Sequence, residues 1–335
     1  MTVSGESGRP IVVVTRRLPA PVEARLTARF DVRLNVDDAP CGPGALADAL
    51  RTADGVLVTV TDRLDAALLA ATPRRARILA NFGVGYDHID VAAAAASGIV
   101  VTNTPGVLTD DTADLAMALV LAVARRVGEG ERHVRAGAWT GWRPTHMMGA
   151  RVTGRTLGIV GFGRIGRAVA ARAHHGFGMP ILVHTPARVD PQVLAAVGAR
   201  QVATVEALLA GSDVVSLHCP ATPATRHLID ASRLAAMRPD AFLVNTARGD
   251  VVDEGALVAA LRAGAIAGAG LDVYESEPAV TPDLLAMENV VLLPHLGSAT
   301  LETRVAMGMR AVDNLVAFFA GQDPPDRVRS TEPPP

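Results

Sequence analysis

The sequence has few cysteines, few aromatic residues and little net charge. Its two cysteines, Cys41 and Cys219, lie far apart in the chain, so we expect reduced thiols and no disulfide framework. A formal net charge of -2 provides no field that would attract nucleic acid or an anionic membrane. Aromatic residues form 3% of a chain that is 49% hydrophobic. Ala, Val and Leu must therefore form the core, as in proteins with buried parallel strands.

The sequence also lacks a hydrophobic run that is long enough to cross a membrane. The longest, residues 115–124, is about half of what a spanning helix needs. Residues 1–10 are polar and rich in Gly and Ser, without the apolar region of an export signal. We therefore expect a cytoplasmic protein with neither a membrane nor a nucleic-acid partner.

Short β-branched segments alternate with Ala- and Leu-rich helical segments along the whole chain. This alternation is typical of βαβ units and parallel sheets. A length of 335 residues favours about two domains. The predicted strands are 11–14, 56–60, 77–81 and 99–101 in the first region, and 157–160, 181–184, 214–218, 242–245, 270–273 and 290–293 in the second. The prediction is an α/β protein with two doubly wound parallel-sheet domains.

A Pro/Gly break at residues 103–106 marks the predicted domain boundary. A long helix is expected to follow over 112–135, with Asp110 and Asp111 as candidate caps, and a last helix over 299–320 is expected to cross back to the first domain. The predicted domains are residues 104–296 and a discontinuous domain of 1–103 with 297–335. The Pro-rich tail, 323–335, is expected to be disordered.

A glycine-rich turn, Gly161-Phe162-Gly163-Arg164-Ile165-Gly166, lies between a predicted strand and a predicted helix. In that context Gly161 permits a tight turn, Gly163 lets the backbone approach a pyrophosphate, and Gly166 lets the helix pack on the strand. The predicted helix, 165–174, begins at Ile165 directly after Arg164, and its N-terminus favours phosphate. A glycine turn can also serve plain chain reversal, but this context predicts a nicotinamide dinucleotide site.

The second predicted strand of this region does not end in the acidic residue that usually holds the ribose of NAD. Thr185 and Arg188 stand there instead, a neutral hydroxyl and a cation that suit a 2′-phosphate. The alternatives are that Arg188 is a solvated loop charge and that Asp190 is the missing acid, although Pro191 after it favours a helix cap. NADP is therefore the preferred cofactor, with NAD as the alternative.

Three polar segments follow predicted strands of the second region, at residues 245–249, 272–278 and 294–298. Together with Asn-Phe-Gly-Val-Gly-Tyr-Asp-His-Ile-Asp at 81–90, they are similar in order and content to the D-2-hydroxyacid dehydrogenase family. The resemblance covers nearly the whole chain. It implies a Rossmann nucleotide-binding domain and a flavodoxin-like substrate domain.

The resemblance also implies the catalytic roles: Arg248 binds the substrate carboxylate, Glu277 orients a histidine, and His295 is the general acid/base. The chemistry agrees, because a 2-oxo acid needs a fixed cation and a proton donor whose ordinary pKa, about 6.5 for His, is near neutrality. The backbone amides of Val84 and Gly85 are candidate second ligands of the carboxylate. Taken singly, Arg248 could be a surface charge, Glu277 a loop acid and His295 a loop histidine.

Further cofactor contacts are expected at the strand ends, from Cys219, Thr246, Ala247, Asp272 and Gly297. The family implies that Asp272 contacts the nicotinamide amide, and a structural role at the strand end is the alternative. The remaining histidines show no spacing typical of ligands, so no metal is expected. The segment 139–144 holds both tryptophans and is expected to form a homodimer contact, with simple packing as the alternative.

Within the family, the sequence is most similar to glyoxylate/hydroxypyruvate reductases. The expected reaction is reduction of a small 2-oxo acid to the D-2-hydroxy acid. Phosphoglycerate dehydrogenase is a less favoured alternative, because only a Pro-rich tail follows the last helix, and formate dehydrogenases carry Gln where this chain has Glu277. A dinucleotide-sensing scaffold, similar to corepressors of the same fold, would keep the same motifs.

Overall fold

The computed structural model describes residues 8–329, and the chain divides into two compact units. The first comprises Met1–Leu108 and Thr300–Pro335, and the second is the continuous segment Thr109–Ala299. Each unit has one sheet, and every strand pair in both sheets is parallel. The predicted α/β class is confirmed.

The first unit is a five-stranded sheet in the order β2-β1-β3-β4-β5, which is the flavodoxin-like order. Its strands are β1 (Ile11–Val14), β2 (Asp31–Arg33), β3 (Gly55–Val58), β4 (Ile78–Asn81) and β5 (Val100–Thr102). Its first four helices are α1 (Ala20–Arg29), α2 (Pro43–Thr52), α3 (Ala66–Ala70) and α4 (Val91–Ala96). All residues of β3 and β4 are buried, as expected for central parallel strands that are covered on both faces.

The second unit is a seven-stranded sheet in the order β12-β11-β10-β9-β6-β7-β8. The elements are α5 (Thr109–Ala124), α6 (Val127–Arg135), β6 (Leu157–Val160), α7 (Arg164–Phe177), β7 (Ile181–His184), α8 (Pro191–Ala195), β8 (Ala199–Gln201), α9 (Val205–Ala210), β9 (Val214–Leu217), α10 (Ala231–Ala235), β10 (Phe242–Asn245), α11 (Glu254–Arg262), β11 (Gly268–Leu271), α12 (Pro282–Leu285) and β12 (Val290–Leu292). The strand order reverses between β6 and β9, the position where Rossmann sheets bind ligands.

The end of the chain is part of the first unit. Helix α13 (Leu301–Phe319) packs against α1 and β4. Beyond it, the buried Asp326 carboxylate accepts two hydrogen bonds from Arg310, at 2.8 and 2.7 Å, and the Val328 amide donates to the Val101 carbonyl at 2.8 Å. The predicted disorder of the tail is therefore wrong for residues 323–329, because these contacts hold the segment on the unit. Residues 330–335 lie outside the described residues.

Three details of the predicted elements are wrong. The helix expected over 112–135 is two helices, since the Ala150 amide donates to the Ala124 carbonyl and Arg126 has a left-handed φ of 56°. Asp110 and Asp111 lie in the first turn of α5 rather than before it. The short strands β2 and β8 were not predicted, because each has only three residues at or near a sheet edge and no apolar run.

Among residues 8–329, no helix combines the length and the apolar character that crossing a membrane requires.

Candidate active site

The glycine turn between β6 and α7 is shaped by close backbone packing at its first and third glycines. Gly161 has a φ of 91°, and a Cβ placed there would lie 2.6 Å from the backbone of His218 and Cys219. A Cβ at Gly166 would lie 2.2 Å from the Gly161 carbonyl oxygen. Side chains at either position would therefore require backbone to move, which is why the turn needs glycine at both.

The middle glycine has the opposite environment. A Cβ on Gly163 would meet no atom of the described residues within 4 Å, and the residue is exposed directly before the first turn of α7. The open space lies in front of the unpaired amides at the N-terminus of a 14-residue helix, a favourable position for phosphate. Thr246, at the end of β10, is buried, and its hydroxyl has no hydrogen-bond partner within residues 8–329. Both features fit a bound dinucleotide.

The segment after β7 is held by a side chain that the sequence did not single out. The Gln201 amide group donates to the Thr185 and Ala187 carbonyls at 3.2 and 2.8 Å and accepts from the Val189 amide at 3.0 Å. Asp190 caps α8 by accepting from Gln192 at 2.8 Å, so the cap interpretation is confirmed. Arg188 is exposed in this loop.

The Arg248 loop is organised by Asn245, the last residue of β10. The Asn245 side chain donates to the Arg248 carbonyl at 2.8 Å and accepts from the Ala247 amide at 3.0 Å. A Cβ on Gly249 would lie 1.8 Å from the Tyr274 carbonyl carbon, so the loop packs tightly on the segment that carries Glu277. The half-buried Arg248 guanidinium donates to the Ala247 carbonyl at 2.8 Å.

Glu277 and His295 are in direct contact. Nδ1 of His295 lies 2.8 Å from Oε2 of Glu277, with side chains that are 31% and 33% exposed. Burial raises the pKa of Glu277, but the hydrogen bond and charge of His295, together with the charge of Arg248, outweigh it and lower the pKa below its ordinary value. An ionised carboxylate only accepts hydrogen bonds, so Nδ1 carries the proton in this pair. Nε2 is then the ring atom that can exchange a proton with a substrate.

Tyr274 supports the Glu277 carboxylate from its own backbone. The Tyr274 amide donates to Oε1 of Glu277 at 3.1 Å, and the phenol donates to the Leu293 carbonyl at 2.9 Å. Burial raises the pKa of Tyr274 to about 12, so the phenol remains protonated. These bonds connect the segment before Glu277 to the strand that precedes His295.

Asp272, which is 1% exposed, holds the turn that contains His295. Its two carboxylate oxygens accept from the Leu296 and Gly297 amides at 2.7 and 2.9 Å, and its carbonyl accepts from the His295 amide at 2.9 Å. Burial raises the pKa of Asp272. His295 has a φ of 56°, a conformation that costs a non-glycine residue energy and needs such support. The Thr112 hydroxyl completes the turn by donating to the Gly297 carbonyl at 2.8 Å.

Cys219 lies beside the glycine turn, through the backbone contact at Gly161 described above. Burial raises the pKa of its thiol to about 12, so it is not a nucleophile at neutral pH. No group of three or more His, Cys, Asp or Glu side chains within residues 8–329 could hold a metal ion.

In the first unit, Val84 and Gly85 lie in a loop after β4. The Asn81 side chain donates to the Gly83 and Gly85 carbonyls at 3.1 and 2.9 Å, and that of Asn103 donates to the Val84 carbonyl at 2.9 Å. These bonds fix the carbonyls of the loop. In the described part of the chain, neither the Val84 nor the Gly85 amide donates a hydrogen bond, which suits groups that are expected to bind an anion.

Comparison with known proteins gives a consistent result. The profile of the family described as "D-isomer specific 2-hydroxyacid dehydrogenase, NAD binding domain" matches residues 117–297. A glyoxylate reductase of Thermococcus litoralis is 46% identical over 96% of this chain and 97% of its own. A glyoxylate reductase of Korarchaeum cryptofilum is 48% identical over 96% of each chain. The family resemblance seen in the sequence is confirmed.

A solved structure points in the same direction. The NADPH-dependent glyoxylate/hydroxypyruvate reductase of Sinorhizobium meliloti, in complex with NADP and malonate, has a TM-score of 0.86 and 38% sequence identity, covering 97% of this chain and 98% of that chain.

Proposed function

The chain belongs to the D-isomer specific 2-hydroxyacid dehydrogenase family, an oxidoreductase family that uses a nicotinamide dinucleotide, and on that premise we propose that it reduces glyoxylate or hydroxypyruvate to the D-2-hydroxy acid. The names of the relatives support this choice of substrate. The observation that carries the proposal is the contact between His295 and Glu277, close enough to Arg248 for its charge to lower the pKa of Glu277.

Arg248 binds the substrate carboxylate in this proposal. A guanidinium presents two parallel N–H donors to a carboxylate, and its charge is permanent. The two hydrogen bonds of Asn245 fix the backbone from which Arg248 projects, so the cation is oriented before the substrate arrives. The roles of Val84 and Gly85 as further carboxylate ligands stay a prediction.

His295 moves the proton. The nicotinamide cofactor would be held by the residues of the glycine turn and by two residues after β10, and when bound it would supply the hydride for C2 of the 2-oxo acid. These residues are Gly161, Gly163, Arg164, Ile165, Gly166, Thr246 and Ala247. As negative charge develops on the carbonyl oxygen, Nε2 of His295 donates a proton to it, and the Glu277 carboxylate stabilises the imidazolium before transfer. In the oxidation direction neutral His295 removes the hydroxyl proton.

Replacement of the proposed proton donor tests the reaction. Wild-type protein should oxidise NADPH in the presence of glyoxylate or hydroxypyruvate, and His295→Asn should lower kcat by about 10²–10⁴-fold while cofactor affinity is kept. His175→Asn, in the exposed last turn of α7, is the matched control. Cofactor binding without turnover of any 2-oxo acid, and no effect of His295→Asn, would contradict the enzyme and favour a dinucleotide-sensing scaffold.

We also propose NADP as the preferred cofactor. The exposed Arg188 and the neutral Thr185 follow β7, and Asp190 is engaged as a helix cap. Thr185→Asp should reverse the preference by repelling the 2′-phosphate. Arg188→Ala should weaken the binding of NADPH by about tenfold or more without weakening the binding of NADH. Arg200→Ala, an exposed cation on β8, is the control. Equal affinity of wild-type protein for both cofactors would contradict the preference.

A homodimer is proposed from the exposed apolar side chains on and after α6. Val134, Trp139, Trp142 and Met148 are 57%, 55%, 81% and 68% exposed. Exposed apolar groups of this density are typical of interaction surfaces. Light scattering should give twice the mass of the chain for wild-type protein and a monomer for the Trp139→Ser, Trp142→Ser variant. A monomeric wild-type protein would refute the dimer.

A further inference from the structure

The segment that carries Glu277 is attached at both of its ends to one side chain. Glu254, the first residue of α11, is 6% exposed. Its Oε1 accepts from the Glu275 amide at 2.7 Å, and its Oε2 accepts from the Thr281 hydroxyl. Glu277 lies between these two attachment points, so residues 275–281 form an arch that one buried carboxylate closes.

Glu254 is not needed as a cap of its own helix. Asp253 caps α11, accepting from the Ala256 amide at 2.9 Å. The position of Glu254 at the helix N-terminus favours its negative charge, which strengthens the hydrogen bonds that it accepts. Its two contacts are directed away from α11, toward the arch.

Other contacts also hold the arch, including a hydrogen bond within it from the Ala279 amide to the Ser276 carbonyl at 2.9 Å. The Tyr274 amide contacts Glu277 directly, and His227 contacts the side chain of Glu275. Gly249 packs on the backbone at Tyr274 and Glu275. The contacts of Tyr274, Glu275 and Gly249 lie on the N-terminal side of the arch. On its C-terminal side, Thr281 donates to Glu254 and Val280 packs against the buried core.

We propose that Glu254 is a positioning residue, which fixes the arch so that the Glu277 carboxylate stays within hydrogen-bonding distance of His295. The role rests on the proposed function, since Glu254 acts on the reaction only through the Glu277 and His295 pair. Without the buried carboxylate, the Glu275 amide and the Thr281 hydroxyl lose their acceptor, and the arch gains freedom to move Glu277 away from the imidazole.

The test compares Glu254→Ala, Glu254→Gln and Thr281→Ala with Glu206→Ala, which removes an exposed glutamate from the first turn of α9 in the same unit. Glu254→Ala should lower kcat by between about tenfold and a hundredfold, with cofactor affinity and the KM for the 2-oxo acid within a factor of about two. Glu254→Gln and Thr281→Ala should have smaller losses, and Glu206→Ala none.

A second readout does not depend on turnover. The pKa of the Glu277 carboxyl, measured by carbon-13 NMR with Glu277→Gln for assignment, should rise toward its ordinary value in Glu254→Ala and by less in Thr281→Ala. An unchanged pKa of Glu277 in folded Glu254→Ala would overturn the proposal. If Glu254→Ala does not fold, Thr281→Ala provides the test. An unchanged pKa of Glu277 in Thr281→Ala would also overturn the proposal. If wild-type protein reduces no 2-oxo acid while the pKa of Glu277 shifts as expected, the proposed function fails, and what stands is that Glu254 holds Glu277 beside His295.

Discussion

The glycine turn and the acid–base cluster occupy the carboxyl ends of strands in the same seven-stranded sheet, yet they are held in opposite ways. At the turn, Gly161 and Gly166 let backbone contact backbone, and Gly163 leaves space open. Around Glu277 and His295, buried polar side chains hold the loops through hydrogen bonds. The turn depends on the absence of side chains at its glycines, and the cluster depends on hydrogen bonds made by buried polar side chains.

The difference determines which kind of substitution should disrupt each region. A glycine turn of this kind is sensitive to added atoms, because there is no room for them at two of its three glycines. The cluster is sensitive to lost hydrogen bonds, because its supporting groups are buried and their partners have no water to replace them. The following predictions examine this contrast, from the largest expected effect to the smallest.

Substitution by alanine should affect the closely packed Gly161 and the open Gly163 of the turn in different ways. Gly161→Ala combines a left-handed φ with overlap onto the backbone of His218 and Cys219, and should lower the free energy of unfolding by about 2–5 kcal/mol. Gly163→Ala, in open space at the N-cap of α7, should lower it by only about 1 kcal/mol or less. It should instead weaken cofactor binding by about 10–100-fold, as the loss of one charge-assisted hydrogen bond would. Urea unfolding and cofactor titration measure the two effects, and equal losses of stability would refute the distinction.

Removing one charge should have an intermediate effect in the cluster. The Asp272 carboxylate accepts one hydrogen bond from each of two backbone amides. In Asp272→Asn the side-chain NH2 group faces one of these amides, so two donors oppose each other, and the free energy of unfolding should fall by about 1–3 kcal/mol. It should also lower kcat by loosening the His295 turn. Asp283→Asn, in an exposed ion pair with Arg262, is the control. Wild-type stability and kcat in Asp272→Asn would show that the turn does not depend on this carboxylate.

The smallest expected effect is the loss of the stability that the ionised Glu277 carboxylate contributes, which acid removes by protonating it. The pKa of Glu277 is lower in the folded protein than its ordinary value of 4.5, so the ionised carboxylate stabilises the fold above that pH. The contribution is lost as the pH falls through the lowered pKa. With the side chain 33% exposed, solvent screening limits the contribution to less than about 1 kcal/mol. The difference in Tm between wild type and Glu277→Gln should therefore narrow from about pH 6 to about pH 3, and a widening difference would contradict the sign.

The fold was largely predictable because its strands are buried runs. The ranges predicted for β1, β6, β7 and β10 agree with the structure. The short edge strands could not be predicted from an apolar pattern that they do not have. Residues 323–329 were mistaken for disorder because Pro-rich composition carries no information on tertiary contacts such as that of Arg310 with Asp326.

The site was predictable where a motif encodes the chemistry and not where a single residue supports it. Glycine spacing and the family segments indicated the turn, Arg248, Glu277 and His295. Nothing in the local sequence distinguishes Gln201, Glu254 or Thr112 from surface polar residues, because their importance comes from contacts with loops 14, 27 and 185 positions away along the chain. Asn245 lay within a selected segment, but its support of the Arg248 loop required the structure.

The division of the first unit between both ends of the chain has a consequence for biosynthesis. The second unit is one continuous segment, and all of it has been synthesised once residue 299 is added. The first unit needs α13 and the segment that pairs with Val101, which are the last described parts to leave the ribosome. Domains generally fold as units during synthesis. In this protein the unit that begins first is therefore completed after the second unit, and its sheet lacks the cover of α13 until residue 319 has been synthesised.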